Sequence, residues 1–78
     1  MRVFSRQPHA LDERRIVEFV ERQYAISETP TSLANKLEAD VRTVRRVLDH
    51  LVEAGAVRRR DMGKIEAIYY RYPSLDDR

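Results

Sequence analysis

The chain has no cysteine and no tryptophan, only two glycines and three prolines, and none of its apolar runs reaches membrane-spanning length. Each absence closes a class of function. Without cysteine there is no disulfide framework, no thiol nucleophile and no cysteine-ligated zinc. A membrane-spanning helix needs roughly 18 to 20 apolar residues in a row. The first residues, MRVFSRQPHALDER, also lack the continuous apolar core of a secretory signal. The sequence therefore reads as soluble and cytoplasmic. Gly55 and Gly63 alone form no phosphate-cradling loop, and His9 and His50 stand isolated without metal-binding spacing. Neither a metal nor any other cofactor is expected. No nucleophile, base and orienting group come together, so the chain is not expected to be an enzyme.

At 78 residues with 42% hydrophobic content, the apolar side chains suffice for one small core and one domain spanning residues 1–78. The net charge of +2 is unevenly placed. Residues 40–64 hold seven basic and four acidic side chains, a local +3, and the remainder sums to −1. Arginine outnumbers lysine 13 to 2. The planar arginine fork suits bidentate contact with phosphate or guanine edges, although genomic base composition also inflates arginine.

Hydrophobic spacing predicts three helices and a hairpin. Over residues 11–24, Ile16, Val17, Phe19, Val20 and Tyr24 share one stripe, with Asp12 and Glu13 in the expected first turn. Pro8, at a first helical position, would start this helix earlier. Residues 25–28 suit a minimal strand. Thr29 as cap and Pro30 as first residue begin a second helix ending near residue 38. Asp40 caps a third over residues 41–54, whose stripe is Val44, Val47, Leu48, Leu51 and Val52, and Gly55 is suited to end it in a left-handed conformation. The period then changes to two. Residues 56–60 and 65–72 read as hairpin strands joined by a turn over 61–64, with Pro73 stopping the pairing. Residues 1–7 are expected as a tail or short strand, and residues 74–78 as a polar tail anchored only by Leu75. The expected class is α+β, mainly α: three helices and a C-terminal β-hairpin.

The run T-x-x-x-L-A-x-x-L-x-x-x-x-x-T-V-R-R-x-L-x-x-L-x-x-x-G-x-V, supplied by Thr29 to Val57, resembles the winged helix-turn-helix of transcriptional regulators of the MarR, ArsR and GntR type. The likeness covers about residues 11–72. It implies a third helix in the DNA major groove and a hairpin wing on the backbone or minor groove. Two positions depart from the pattern: Glu38 stands where a glycine is common in the turn, and Asp40 where serine or threonine is common. The aspartate is an equally good cap.

Opposite the inward stripe of the third helix lie Arg42, Arg45, Arg46 and Asp49, spaced i, i+3, i+4 and i+7. Early residues of a recognition helix reach base edges while flanking groups hold phosphates. Arg42 and Arg46 are the expected base-edge contacts, and Arg45 a phosphate or mixed contact. Thr43 offers its hydroxyl to a phosphate or bonds locally to helix backbone. The competing reading is a solvated face paired with Asp49 or Glu53.

In the hairpin, alternation puts Arg58 and Arg60 on one face and Arg59 on the other, with Lys64 at the tip. Arg58, Arg60 and Lys64 complete the candidate DNA-binding set, although basic hairpins also serve as charged, aggregation-resistant edges. Among Tyr69, Tyr70 and Tyr72, core packing is expected rather than a stacking platform for single-stranded bases; an exposed member would mark a dimer contact, with Val3 and Phe4 as possible company.

The expected function is sequence-specific binding of double-stranded DNA by a small transcriptional regulator. A single reading helix covers few base pairs, so a homodimer on a palindromic site is expected. The second reading, from a different class, is a protein-interaction module whose arginine face meets an acidic partner.

Overall fold

The computed structural model describes residues 8–72, with side chains from residue 12 onward. The elements are α1 (Pro8–Arg22), β1 (Ile26–Glu28), α2 (Pro30–Leu37), α3 (Val41–Glu53), β2 (Arg58–Met62) and β3 (Ile65–Arg71). Together they form an α+β domain with three helices and a three-stranded antiparallel sheet of order β1-β3-β2. Among the described residues no helix is long and apolar enough to cross a membrane. The expectations for residues 1–7 and 73–78, including Val3, Phe4, Pro73 and Leu75, lie outside the described residues.

α1 takes the earlier start that Pro8 offers and differs from expectation at its other end. It opens at Pro8, which moves Asp12 and Glu13 beyond its first turn. It closes at Arg22, and Tyr24, expected on the inward stripe, is 82% exposed. The cause is a tight turn after the helix, where the Gln23 N–H donates to the Val20 carbonyl at 3.2 Å. The last carbonyls of a helix have no partner within it. Here the Arg71 guanidinium supplies one, donating to Val20 O at 2.7 Å and also to Gln23 O. A further bond to Ala56 O at 3.3 Å makes Arg71 the tie between β3, the end of α1 and the loop after α3.

The helix-turn-helix segment is fixed by its caps. Thr29 accepts the Ser32 N–H at 3.0 Å while its own N–H donates to the Ser32 hydroxyl at 3.0 Å, a capping box with serine in the place of the usual Glu or Gln. α2 ends at Glu38, whose φ of 55° and ψ of 48° put an L residue in the left-handed region that glycine occupies at no steric cost. Both Glu38 and Ala39 donate their N–H groups to the Ala34 carbonyl. Asp40 then caps α3, accepting the Thr43 N–H at 3.1 Å.

The core joins Ile16 and Val20 of α1, Ile26 of β1, Leu33 and Ala34 of α2, Val44, Val47 and Leu48 of α3, and Val57 and Tyr69 near and within the hairpin. Apolar burial drives the folding of such a chain, and Leu48 and Val44 in it fix which side of α3 faces out. The helix stops in a Schellman arrangement: Gly55 at φ 83° donates to Val52 O and Ala56 donates to Leu51 O. Because the Ala56 and Val57 amides both go to Leu51 O, β2 starts at Arg58 and not at residue 56. It runs on to Met62 through a bulge between Arg60 and Met62, so Gly63 (φ 76°) and Lys64 alone make the turn.

Candidate nucleic-acid interface

α3 carries three arginines on its exposed side, and each has a different electrostatic situation. Arg42, in the first turn, is exposed and makes no ion pair with a described residue. Arg45 lies 3.7 Å from the Glu66 carboxylate at the start of β3. Glu66 is itself held by Thr31, which donates its hydroxyl at 2.7 Å and its N–H at 3.4 Å. The Thr31 bonds first, and the Arg45 charge further down, hold the Glu66 carboxyl below the usual glutamate range. Arg46 is bonded to Glu13 of α1, a partner 33 residues away. An ion pair exposed on both sides is worth roughly 0 to 1 kcal/mol, so a ligand phosphate competes with it on nearly equal terms.

Asp40, Arg42, Thr43 and Arg46 border a wide, shallow depression of about 430 Å³ at the α3 N-terminus. The helix dipole favours anions there, but the Asp40 carboxylate already occupies the cap. The arginines are thus the cationic contacts of this surface. Thr43 does not join them. It is 1% exposed, and its hydroxyl sits 3.4 Å from Asp40 Oδ2. The hydroxyl is thus directed to the Asp40 side chain and not outward to the surface where a phosphate would lie. Thr43 lies four residues before Val47, on the inward side, so the spacing carried the signal.

The hairpin divides its arginines as alternation predicts. Arg59 pairs across the sheet with buried Tyr69 on the face toward the helices. Its guanidinium reaches Asp49 of α3 at 3.0 Å and Asp61 at 3.5 Å. The Tyr69 hydroxyl donates to the same Asp49 oxygen at 2.5 Å. Asp49 therefore clamps β2 and β3 to α3. Burial, then the bond to Asp49, pushes the Tyr69 phenol up, and Tyr69 and Asp49 raise the already high Arg59 value. Arg58 and Arg60, opposite Tyr70 and Ile68, project from the other face. Arg58 and Arg60, expected in the DNA-binding set, are directed away from α3, while Arg59, left out of that set, touches it. Lys64 is exposed at the hairpin tip, without an ion pair among the described residues.

The tyrosines separate in the same way. Tyr69 is in the core, as expected, while Tyr70 is half-buried and Tyr72 is 58% exposed. Glu66 and Arg71, which sequence alone does not single out, and Glu13, read there only as a first-turn residue, hold the arginines and the α1 terminus from distant positions. Comparison of the chain with family models, curated proteins and solved structures gives no match.

Proposed function

We propose that this chain is a winged helix-turn-helix domain that binds double-stranded DNA sequence-specifically, as a small transcriptional regulator. The observation that carries the reading is the accessible stripe of Arg42, Arg45 and Arg46 on a helix whose other side is buried through Val44, Val47 and Leu48. A helix presented in this way fits the B-DNA major groove, and arginine forks match guanine O6 and N7. The element order supports the winged layout: α2 and α3 are joined by the short turn at Glu38 to Asp40, and the β2–β3 hairpin follows. Arg42 and Arg46 are assigned to base edges and Arg45 to phosphate. Lys64 at the hairpin tip touches the backbone or minor groove. Arg58 and Arg60 leave the duplex site.

Binding as a homodimer to two half-sites one helical turn apart, roughly 34 to 36 Å, would extend the few base pairs that one helix reads. Titration with duplex selected from a random pool, at two salt concentrations, tests the reading. Affinity should fall with salt with a logarithmic slope of about −0.9 per phosphate neutralised. No binding, or binding insensitive to salt, rejects it.

A second reading has one observation in its favour: Arg45 and Arg46 are already partnered by carboxylates, the ligand that an acidic protein surface would offer. A stoichiometric protein partner that competes for this face, together with no DNA shift, would select that reading.

A further inference from the structure

We infer that the open face of the sheet is a second binding surface, and that it takes single-stranded nucleic acid on Tyr70 and Tyr72 with Arg58 and Arg60 on the phosphates. This is the face turned away from Tyr69 and the helices. Ser27 and Arg58 flank Tyr70 across the sheet, and Arg60 lies opposite Ile68. The Tyr70 and Tyr72 rings stand with centroids 5.5 Å apart and planes tilted by 32°. Ser27, Arg60, Ile68, Tyr70 and Tyr72 border a shallow groove of about 160 Å³.

Two features select the occupant. The first is aromatic surface outside the core: Tyr72 is 58% exposed, and a π-face attracts any base regardless of its identity. The second is charge. Arg58 and Arg60 are exposed and make no ion pair with a described residue, unlike Arg45, Arg46 and Arg59. A polyanion with stackable bases satisfies both features at once. A second copy laid on this face by two-fold symmetry would instead bring four arginines together with no carboxylate among the groove residues to oppose them. A duplex keeps its bases stacked inside and offers nothing to the rings.

The test is titration of the full chain with labelled oligothymidylate and oligouridylate of about 15 nucleotides, comparable to a single-strand site size. The two oligonucleotides distinguish DNA from RNA as the source of the strand. Saturable binding to at least one is expected. Tyr70→Leu and Tyr72→Leu should each weaken it roughly 5- to 150-fold, while Tyr70→Phe retains it. Arg58→Ala with Arg60→Ala should flatten the salt slope by about 0.7 for each phosphate that is no longer neutralised. Far-ultraviolet circular dichroism checks that each variant is folded. Arg42→Ala should leave single-strand binding unchanged, which separates this surface from the α3 duplex site: either can fail while the other stands. The inference is overturned by no single-strand binding, by binding that Arg42→Ala abolishes and Tyr70→Leu spares, or by a dimer that Tyr70→Leu converts to monomer.

Discussion

α3 and the β2–β3 hairpin are both arginine-rich, yet they use the residue differently. In α3 a period of 3.6 with Val44, Val47 and Leu48 buried leaves Arg42, Arg45 and Arg46 on one accessible side. In β2 a period of two splits three consecutive arginines, with Arg59 toward α3 and Arg58 and Arg60 away from it. The basic run of the hairpin is therefore not one surface, and its charge cannot be added to that of α3. Local density of arginine says little until the backbone period and the buried partner are known.

The largest effect should come from removing the support of that arrangement. Leu48 is fully buried beneath the arginine side of α3, and Leu48→Ala should cost about 2 to 5 kcal/mol in urea denaturation. A loss below ~1 kcal/mol would mean that α3 is not held by this core. Next is Arg42, which has no ion pair among the described residues to surrender. Arg42→Ala should weaken binding to a selected duplex by about 1 to 3 kcal/mol and relax base preference at one position. Uniform weakening across all sequences would reassign Arg42 to phosphate.

Glu13 sharpens the comparison from the opposite direction. It holds Arg46, so Glu13→Gln should free that arginine and tighten duplex binding by a factor of up to about 5, the worth of an exposed ion pair. Tightening far beyond this factor would contradict the exposed pairing of Arg46, and an Arg46→Ala variant with unchanged affinity in an electrophoretic shift titration would show that Arg46 does not contact DNA. In the turn between α2 and α3, Glu38→Gly should raise stability by roughly 0.5 to 1 kcal/mol, because glycine accepts the left-handed conformation freely. A melting temperature that falls would contradict the strain assigned to Glu38.

The smallest effect concerns pH. The Glu66 carboxyl is held below its ordinary value in the folded protein. Its contribution is present above the ordinary glutamate range and is lost as pH falls through the lowered folded value. Thermal melts through the acid range should show this loss diminished in Thr31→Val, which removes the hydroxyl donor to Glu66. An identical acid profile would sink the assignment.

Much of the fold is legible in the sequence, for local reasons. Thr29, Pro30, Asp40 and Gly55 act at the ends of their own helices, and the stripe on α3 follows from spacing alone. The split of Arg58, Arg59 and Arg60 follows from alternation. Glu38 stands where a glycine is common, and the structure shows the left-handed backbone that explains why. What escapes the sequence is long-range. Arg71 reaches Val20 across 51 residues and Arg46 reaches Glu13 across 33, and no local pattern encodes such partners. Tyr24 leaves the inward stripe at a turn where the local Gln23 to Val20 bond is joined by the distant Arg71, which donates to the carbonyls of both residues. Spacing alone groups Arg58 and Arg60 with the α3 site because it does not say which face of the hairpin the helices cover.

The central claim is that α3, and not the open face of the sheet, reads duplex DNA. The most direct measurement is a side-by-side titration of one selected duplex with the unaltered chain, with Arg42→Ala, and with Arg58→Ala plus Arg60→Ala. A loss of roughly 5- to 150-fold for Arg42→Ala with little change for the hairpin pair is the predicted result. Equal loss in both, or loss confined to the hairpin pair, would contradict the account.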